Sequence, residues 1–290
     1  MAEFVIKDEE LNSVKGKVVI VTVFINAGTS SGIGLATAKL LLSLGASVVG
    51  ADIQPSTLTE SSPAWFFVQS NVTVWSDLSN LFKKAKEHFG RIDYVFANAG
   101  IGPRANYLAL EMDEAGELKE PSYDVLDVNL KSVMNTATLA VHYLKQQPEG
   151  GSIVLMGSST GLQPLRAPDY STAKHGVLGF GRGIARLVEA AGLPIRVNTL
   201  MPSWTSTNIL PNLDGLMQGI SHEAQPGLIV ARCATYLMVN PSKHGEVIYV
   251  SDGKYTEIEK AVLWPAAQTI IGEGNPSDDQ ILERIFALAA

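Results

Sequence analysis

Apolar residues fall in short, nearly unbroken runs along the chain: Val18 to Ile25, Ala46 to Ala51, Ala64 to Gln69, Asp93 to Ala97, Ser152 to Gly157, Ile195 to Met201 and Glu246 to Val250. Consecutive rather than alternating apolar positions mark strands covered on both faces, as in a parallel sheet. Between the runs, Trp75, Leu78, Leu81, Phe82, Ala85 and Phe89 share one helical face, and Gly90 follows as a stop. Segments 34–44, 123–145 and 169–191 carry the same period. Strand and helix alternating from end to end predict an α/β fold: a doubly wound, seven-stranded, mostly parallel sheet with helices on both faces. No internal repeat or linker divides the chain. The expected organisation is a lead-in over 1–15, one unit over 16–264 and a C-terminal extension, part helical, over 265–290.

Composition narrows the function classes. The 290 residues hold 22 Lys and Arg against 29 Asp and Glu, a net charge of −7, which argues against a nucleic-acid surface. The longest apolar run, Val18 to Ile25, is far short of the roughly 20 residues of a membrane helix. The polar, acidic N-terminus lacks the pattern of a signal peptide. A single cysteine, Cys233, excludes a disulfide framework. These features make the cytosol the expected compartment and a membrane partner unexpected. The five histidines, at 88, 142, 175, 222 and 244, lack metal-ligand spacing, so no metal is expected.

The candidate chemistry starts after the first strand, where Gly28, Ser30, Ser31, Gly32, Ile33 and Gly34 stand in a G-x3-G-x-G turn that opens a helix. Glycines there allow positive φ and close approach of a pyrophosphate, and free N–H groups at the helix start supply donors. The alternative is a purely structural turn. Asp52 ends the second strand, 18 residues beyond Gly34, and Ile53 follows it. A carboxylate there suits both ribose hydroxyls of an adenosine and repels a 2′-phosphate, pointing to NAD over NADP. Otherwise Asp52 is a solvated turn residue before Pro55.

Tyr170 and Lys174 lie four apart, on one helical face. A phenol with a pKa near 10 is a poor base at neutral pH, and a neighbouring ammonium, together with the positive nicotinamide ring of an oxidised cofactor, favours the phenolate. Such pairs are common on helix surfaces. Here, however, Gly157-Ser158-Ser159-Thr160-Gly161 lies just past the fifth strand, at the carboxyl edge where parallel sheets bind ligands. Ser158 could hold a substrate oxygen there, with Ser159 as the alternative.

Taken together, from about Gly16 to Gly253, these motifs resemble the single-domain short-chain dehydrogenases/reductases. The resemblance rests on AGTSSGIG, Asp52, Asn71-Val72, Asn98-Ala99-Gly100, Asn129, the Ser158 loop, Tyr170-x3-Lys174 and Pro202 to Thr207. It implies a Rossmann-like fold with Tyr170 as the acid/base and Ser158 orienting the substrate oxygen. Lys174 would hold the nicotinamide ribose and depress the tyrosine's pKa, and Asn129 would hold a water in a proton relay. Asn71 and Val72 would contact the adenine, and Asn98, Ala99 and Gly100 would line the cofactor. Pro202, Thr205 and Thr207 would secure the carboxamide. The resemblance also implies a homodimer or homotetramer, paired through the helices bearing Asn129 and Tyr170.

The chain departs from the family pattern at several points. Ala27 stands where the family has Thr, and Val23 to Ala27 read as five extra residues. Asn71 replaces an Asp, and Ser203 replaces a glycine after Pro202. Ser158 and Tyr170 are 12 residues apart, one fewer than in many relatives. A lid is expected at about 208–225, where Leu210, Leu213, Leu216, Met217 and Ile220 suit an apolar, bulky secondary alcohol or ketone. Those residues could instead only pack the lid onto the body. The stretch AKHGVLGFGR and the long tail are similar to NAD-linked hydroxyprostaglandin dehydrogenases. Gly176, Gly179, Gly181 and Gly183 are unusual in a helix and predict close packing, against the sheet or a partner helix. The expected function is NAD-dependent interconversion of a secondary alcohol and a ketone. A dinucleotide sensor or scaffold, or a non-redox isomerase or cyclase on the same fold, is the alternative.

Overall fold

The computed structural model describes residues 2–22, 32–55, 58, 62–109, 111–207, 209 and 212–289. Val23 to Ser31 lie outside the described residues, and with them Gly28, Ser30 and Ser31 of the glycine-rich turn and the five extra residues. Asn208 and Leu210 of the expected lid are outside as well.

The sheet has nine strands, β1 (Ala2–Phe4), β2 (Val18–Thr22), β3 (Ser47–Asp52), β4 (Trp65–Gln69), β5 (Tyr94–Ala97), β6 (Gly151–Met156), β7 (Ile195–Pro202), β8 (Val247–Ser251) and β9 (Lys254–Glu257), in the order β1-β9-β8-β7-β6-β5-β2-β3-β4. The seven strands from β4 across to β8 run parallel, and they are the seven read from the apolar runs. The two additional strands correct the expected count. β9 returns antiparallel to β8 through Asp252-Gly253, whose φ values of 51° and 76° fit a two-residue hairpin turn. β1 then adds to β9, and Phe4 packs against the rings of Tyr236 and Tyr255, at 5.5 and 5.7 Å. The lead-in therefore begins with an edge strand of the sheet and continues into a 3-10 helix over Asp8–Val14. Three residues are too short to show a strand period, which is why the sequence hides the strand.

Helices cover both faces. The helices are α1 (Ile33–Ser43), α2 (Trp75–Phe89), α3 (Asp124–Leu126), α4 (Ser132–Leu144), α5 (Pro168–Ala190), α6 (Leu213–Gly219), α7 (Gly227–Val239), α8 (Trp264–Ile271) and α9 (Asp278–Ala289). One core cluster joins Ala38 and Leu41 of α1 and Val230, Cys233 and Leu237 of α7 to Val19, Val21 and Phe96 of the sheet. On the opposite face Leu78, Leu81 and Phe82 of α2, Ala137 and Leu144 of α4 and Val177 of α5 meet Ile20, Val95 and Ile153. A π-turn at Asp127–Lys131 links α3 to α4. Gly90 caps α2 at φ 77°, and Pro168 opens α5, whose first position needs no N–H partner. α9 is tied to α5 by Arg186, which donates to Asp279 at 2.8 and 3.1 Å.

Two of the four unusual glycines of α5 are explained by this packing. A Cβ on Gly181 would lie 2.2 Å from Thr199 Oγ1 of β7, and one on Gly176 would lie 2.7 Å from Leu130. At Gly179 and Gly183 it would meet nothing within 4 Å.

The order in which strands are added to the sheet reverses between β2 and β5, which are themselves parallel. β2 leads to β3 and β4 on one side, and β5 leads to β6, β7 and β8 on the other. In such sheets ligands bind at the carboxyl ends of the strands beside that switch point. The expected site residues flank it.

Candidate active site

A cavity of about 480 Å³ opens at those strand ends. Its floor is built from the ends of β5, β6 and β7. Asn98 and Gly100 follow β5, Ser158 and Ser159 follow β6, and Pro202, Thr205 and Thr207 follow β7. Gly32, Ile33 and Gly34 contribute the start of α1, and Tyr170 and Lys174 project from the first turns of α5. Eleven of the expected site residues thus line one cavity, although they are spread along the chain from Gly32 to Thr207.

The catalytic candidates are fixed by specific partners. Lys174 is buried, and its Nζ donates to the Met156 carbonyl at 2.9 Å while standing 5.6 Å from the centre of the Tyr170 ring. Burial lowers its pKa to about 8. The Ser158 Oγ accepts from the Thr160 N–H at 3.2 Å and lies 3.1 Å from the Thr160 Oγ1. Of the two serines, Ser158 is the one whose hydroxyl acts on the Tyr170 phenol, drawing its pKa down. Burial nevertheless pushes the Tyr170 phenol up to about 12, with the Ser158 hydrogen bond pulling the other way. The depression expected from an ammonium together with a positive nicotinamide ring is thus not produced by the ammonium alone. At 5.6 Å from the ring, with its own charge directed at Met156, Lys174 does not outweigh the desolvation of a phenolate.

Asn129 lies off the cavity wall, fully buried on the π-turn. Its Oδ1 accepts from the Ile101 N–H at 2.7 Å and its Nδ2 donates to the Ile101 carbonyl at 2.8 Å. Its side chain therefore anchors the segment after β5. A Cβ on Gly100 would lie 3.3 Å from Asn129 Oδ1 and 3.8 Å from Lys174 Nζ, so a side chain here would press on Asn129.

The remaining candidates flank the cavity. Asp52 ends β3, buried, and its Oδ1 accepts from the Gln54 N–H at 2.9 Å, while Ile53 beside it is exposed. Asn71 Oδ1 accepts from the Thr73 N–H and hydroxyl, and the Asn71 N–H donates to Asp77, an arrangement that ties the turn after β4 to the first turn of α2. Val72 packs into the core. Asn98 is tied to the end of β2, its N–H donating to Thr22 Oγ1 and its Nδ2 to the Thr22 carbonyl, each at 3.0 Å, and Ala99 N–H shares Thr22 Oγ1. Thr205 Oγ1 donates to the Ser203 carbonyl at 2.8 Å and accepts from Gln225 at 3.2 Å.

The substrate side of the wall differs from the sequence expectation. Of the apolar lid residues, Leu213 lines the cavity, and Met217 is buried against a neighbouring cleft. Leu216 and Ile220 point to solvent, at 60% and 71% exposure. A helix as short as α6 can present only one face inward, so a lid with apolar residues all round must expose some of them. The apolar wall is completed instead by Ile101, Pro103, Leu165, Trp204 and Ile209, with Arg104 and Gln163 as polar members. Sequence reading passed over these because they sit in loops without a period. Asp169, next to Tyr170, was missed too, although a Pro-Asp pair at a helix start is a legible first-turn signal.

The described residues contain no helix long and apolar enough to cross a membrane. The family model for short chain dehydrogenases matches residues 17–215. The short-chain dehydrogenase/reductase ascJ of Acremonium egyptiacum is 46% identical over 291 aligned positions, 99% of this chain and 96% of that protein. The 15-hydroxyprostaglandin dehydrogenase [NAD(+)] of Homo sapiens is 31% identical over 213 positions, 69% of this chain and 73% of its own length. A third relative, the short-chain dehydrogenase/reductase prx4 of Penicillium roqueforti, is 35% identical over 212 positions, 73% of this chain and 61% of its own. With its parallel sheet, its switch-point cavity and its Ser158, Tyr170 and Lys174 constellation, this chain belongs to the short-chain dehydrogenase/reductase family.

Proposed function

We propose that the protein interconverts a secondary alcohol and a ketone with NAD as the hydride carrier. The observation that carries this reading is the convergence of Ser158, Tyr170 and Lys174 on one cavity whose outer wall is apolar. The residues present suit a dinucleotide. The backbone at Gly32 is open, since among the described residues a Cβ there would meet nothing within 4 Å, and helix α1 starts beside it. Pro202, Thr205 and Thr207 would hold the carboxamide end, Asn98 and Gly100 would line the ribose, and Asp52 and Ile53 with Asn71, Val72 and Ala99 would serve the adenosine. The cofactor supplies, when bound, the hydride acceptor or donor and, in its oxidised form, a positive ring.

In this reading Ser158 Oγ hydrogen-bonds the substrate oxygen, and Tyr170 Oη takes the alcohol proton or returns it to the carbonyl oxygen. Lys174, as an ammonium, binds ribose hydroxyls and stabilises the phenolate. A phenol near 12 is out of range for a base at neutral pH, so the Lys174 charge and the oxidised ring must together bring it down. Asn129 acts through Ile101, keeping the loop beside Lys174 in place for a water-mediated relay to solvent. The Asp52 carboxylate favours NAD by accepting from ribose hydroxyls and repelling a 2′-phosphate. An apolar wall with few polar groups suits a bulky, apolar alcohol or ketone.

The outward-facing Gly179 and Gly183 of α5 leave room for a closely packed second copy, in support of a homodimer or homotetramer. Light scattering should show an assembly that Gly183→Leu dissociates, and a monomer in both would remove it.

The test is absorbance at 340 nm with NAD and a panel of 2-decanol, 1-indanol, a 3-hydroxysteroid and a 15-hydroxyprostaglandin. Turnover is expected in the wild type and a loss of at least about 100-fold in Tyr170→Phe, in line with the usual size of acid–base catalysis. Tight NAD binding without any turnover would favour the sensor. Turnover indifferent to Tyr170→Phe would overturn the proton-transfer role.

A further inference from the structure

Asp169 is a buried carboxylate at 2% exposure, and none of the roles above uses it. It follows Pro168 in the first turn of α5, directly before Tyr170. Its Oδ2 accepts from the N–H of Arg104 at 2.8 Å and of Ala105 at 2.9 Å, and its Oδ1 accepts from the N–H of Tyr170 at 2.8 Å. Burial alone would push this carboxyl up, but the backbone donors of Arg104, Ala105 and Tyr170 hold it below the ordinary carboxylate range.

The two loop residues it grips close a segment that forms one side of the substrate cavity. Ile101, Gly102, Pro103 and Arg104 all line the same cavity as Tyr170 and Ser158. At its start the segment is held by Asn129, through both backbone polar groups of Ile101. At its end it is held by Asp169. Neither anchor side chain is part of the cavity lining, yet together they fix four consecutive lining residues without any regular secondary structure between them.

We infer that Asp169 is a positioning residue, whose carboxylate ties the 101–105 wall of the substrate cavity to the helical turn that carries Tyr170. The charge state matters to that role. Both oxygens face N–H donors, so an asparagine in the same place must turn its own NH₂ toward one set of them and release it. Released at Arg104 and Ala105, the wall moves relative to the phenol. The hydrogen bonds of Asp169 reach the 104–105 loop and the Tyr170 backbone, and none runs to α1 or Thr205, so the effect falls first on the substrate wall. The inference rests on the proposed alcohol oxidation only for the identity of what the wall contacts.

The first experiment needs no variant and no turnover. Amide hydrogen exchange on the wild-type protein should show Arg104 and Ala105 protected at least tenfold over their unstructured rates. In Asp169→Asn that protection should fall below threefold, while the NADH dissociation constant, read by nucleotide fluorescence, stays within twofold. With 2-decanol as the kinetic probe, KM should rise at least fivefold and kcat change less than threefold. Unprotected Arg104 and Ala105 amides in the wild type, or a folded Asp169→Asn protein with unchanged exchange and KM, would overturn the inference. So would a loss of NADH binding equal to the loss in KM, which marks general loosening. If Asp169→Asn fails to fold, the wild-type exchange decides. If the wild type turns over no alcohol of the panel, the proposed reaction fails, while exchange and NADH binding still decide the role of Asp169.

Discussion

Asn129 holds Ile101 by both of its backbone polar groups, with Oδ1 at 2.7 Å from the Ile101 nitrogen and Nδ2 at 2.8 Å from its carbonyl oxygen. The two residues are 28 positions apart, and the pair joins the π-turn to the chain leaving β5. An amide is the side chain suited to this, because it offers one acceptor and one donor to a backbone that presents the complement. Asn129→Ala leaves a buried N–H and a buried carbonyl unpaired and is expected to lower stability by about 2–4 kcal/mol in denaturant unfolding. Asn129→Asp can serve the N–H but sets a carboxylate oxygen against the carbonyl, so it should not restore stability. Full recovery with Asp would show that the Nδ2 bond contributes nothing.

Lys174 carries a charge in a site that disfavours it. Its pKa of about 8 in the fold lies below the ordinary value of 10.5, so the folded state loses its proton first as pH rises. Between about 8 and 10.5 the unfolded chain therefore binds more protons, and stability rises with pH in that window. Lys174→Met removes the buried charge and is expected to raise stability at pH 7 by about 1–3 kcal/mol. That advantage should shrink as pH approaches 10.5, because only the wild type has the slope, and the variant should have no turnover. Thermal unfolding at pH 7 and pH 10 checks both signs.

Asp52 closes β3 with a buried carboxylate next to an exposed Ile53. Asp52→Ala is expected to raise the KM for NAD about tenfold and to improve the kcat/KM for NADP, narrowing the preference from both sides. Steady-state kinetics with each cofactor reads this directly. Better binding of NADPH than NADH by the wild type would overturn the argument.

Gly181 faces β7 so closely that a Cβ would sit 2.2 Å from Thr199 Oγ1. Gly181→Ala should therefore destabilise the protein by about 1–3 kcal/mol, against the gain of up to about 1 kcal/mol that alanine usually brings to a helix. Pairing it with Thr199→Ala should recover part of the loss. Equal stability of Gly181→Ala and wild type would show that α5 shifts freely on the sheet.

The parallel strands were legible because burial on both faces leaves continuous apolar runs, and the two short antiparallel strands were not. β9 carries one signal, the Asp252-Gly253 hairpin turn, whereas β1 depends on Phe4 finding Tyr236 and Tyr255 from the far end of the chain. Ser158, Tyr170 and Lys174 were readable from residue type and spacing, since a helical period places Tyr170 and Lys174 together and a strand end presents Ser158. The phenol's pKa was not readable. It depends on how far burial outweighs a neighbouring charge, and burial is a property of everything packed around the ring.

By itself the sequence determined the α/β alternation, the family and the residue types able to move a proton and hold a dinucleotide, because periodicity and short motifs are local. Only the tertiary structure decided which side chains share the cavity wall. It turned Leu216 and Ile220 outward, brought in Ile101, Trp204 and Leu165, and assigned Asn129 and Asp169 to anchoring the loop between them. Those assignments arise from contacts between segments 28 and 65 positions apart, and loop conformation at that range is set by the hydrogen-bond needs of buried backbone groups, which leave no pattern in a linear chain.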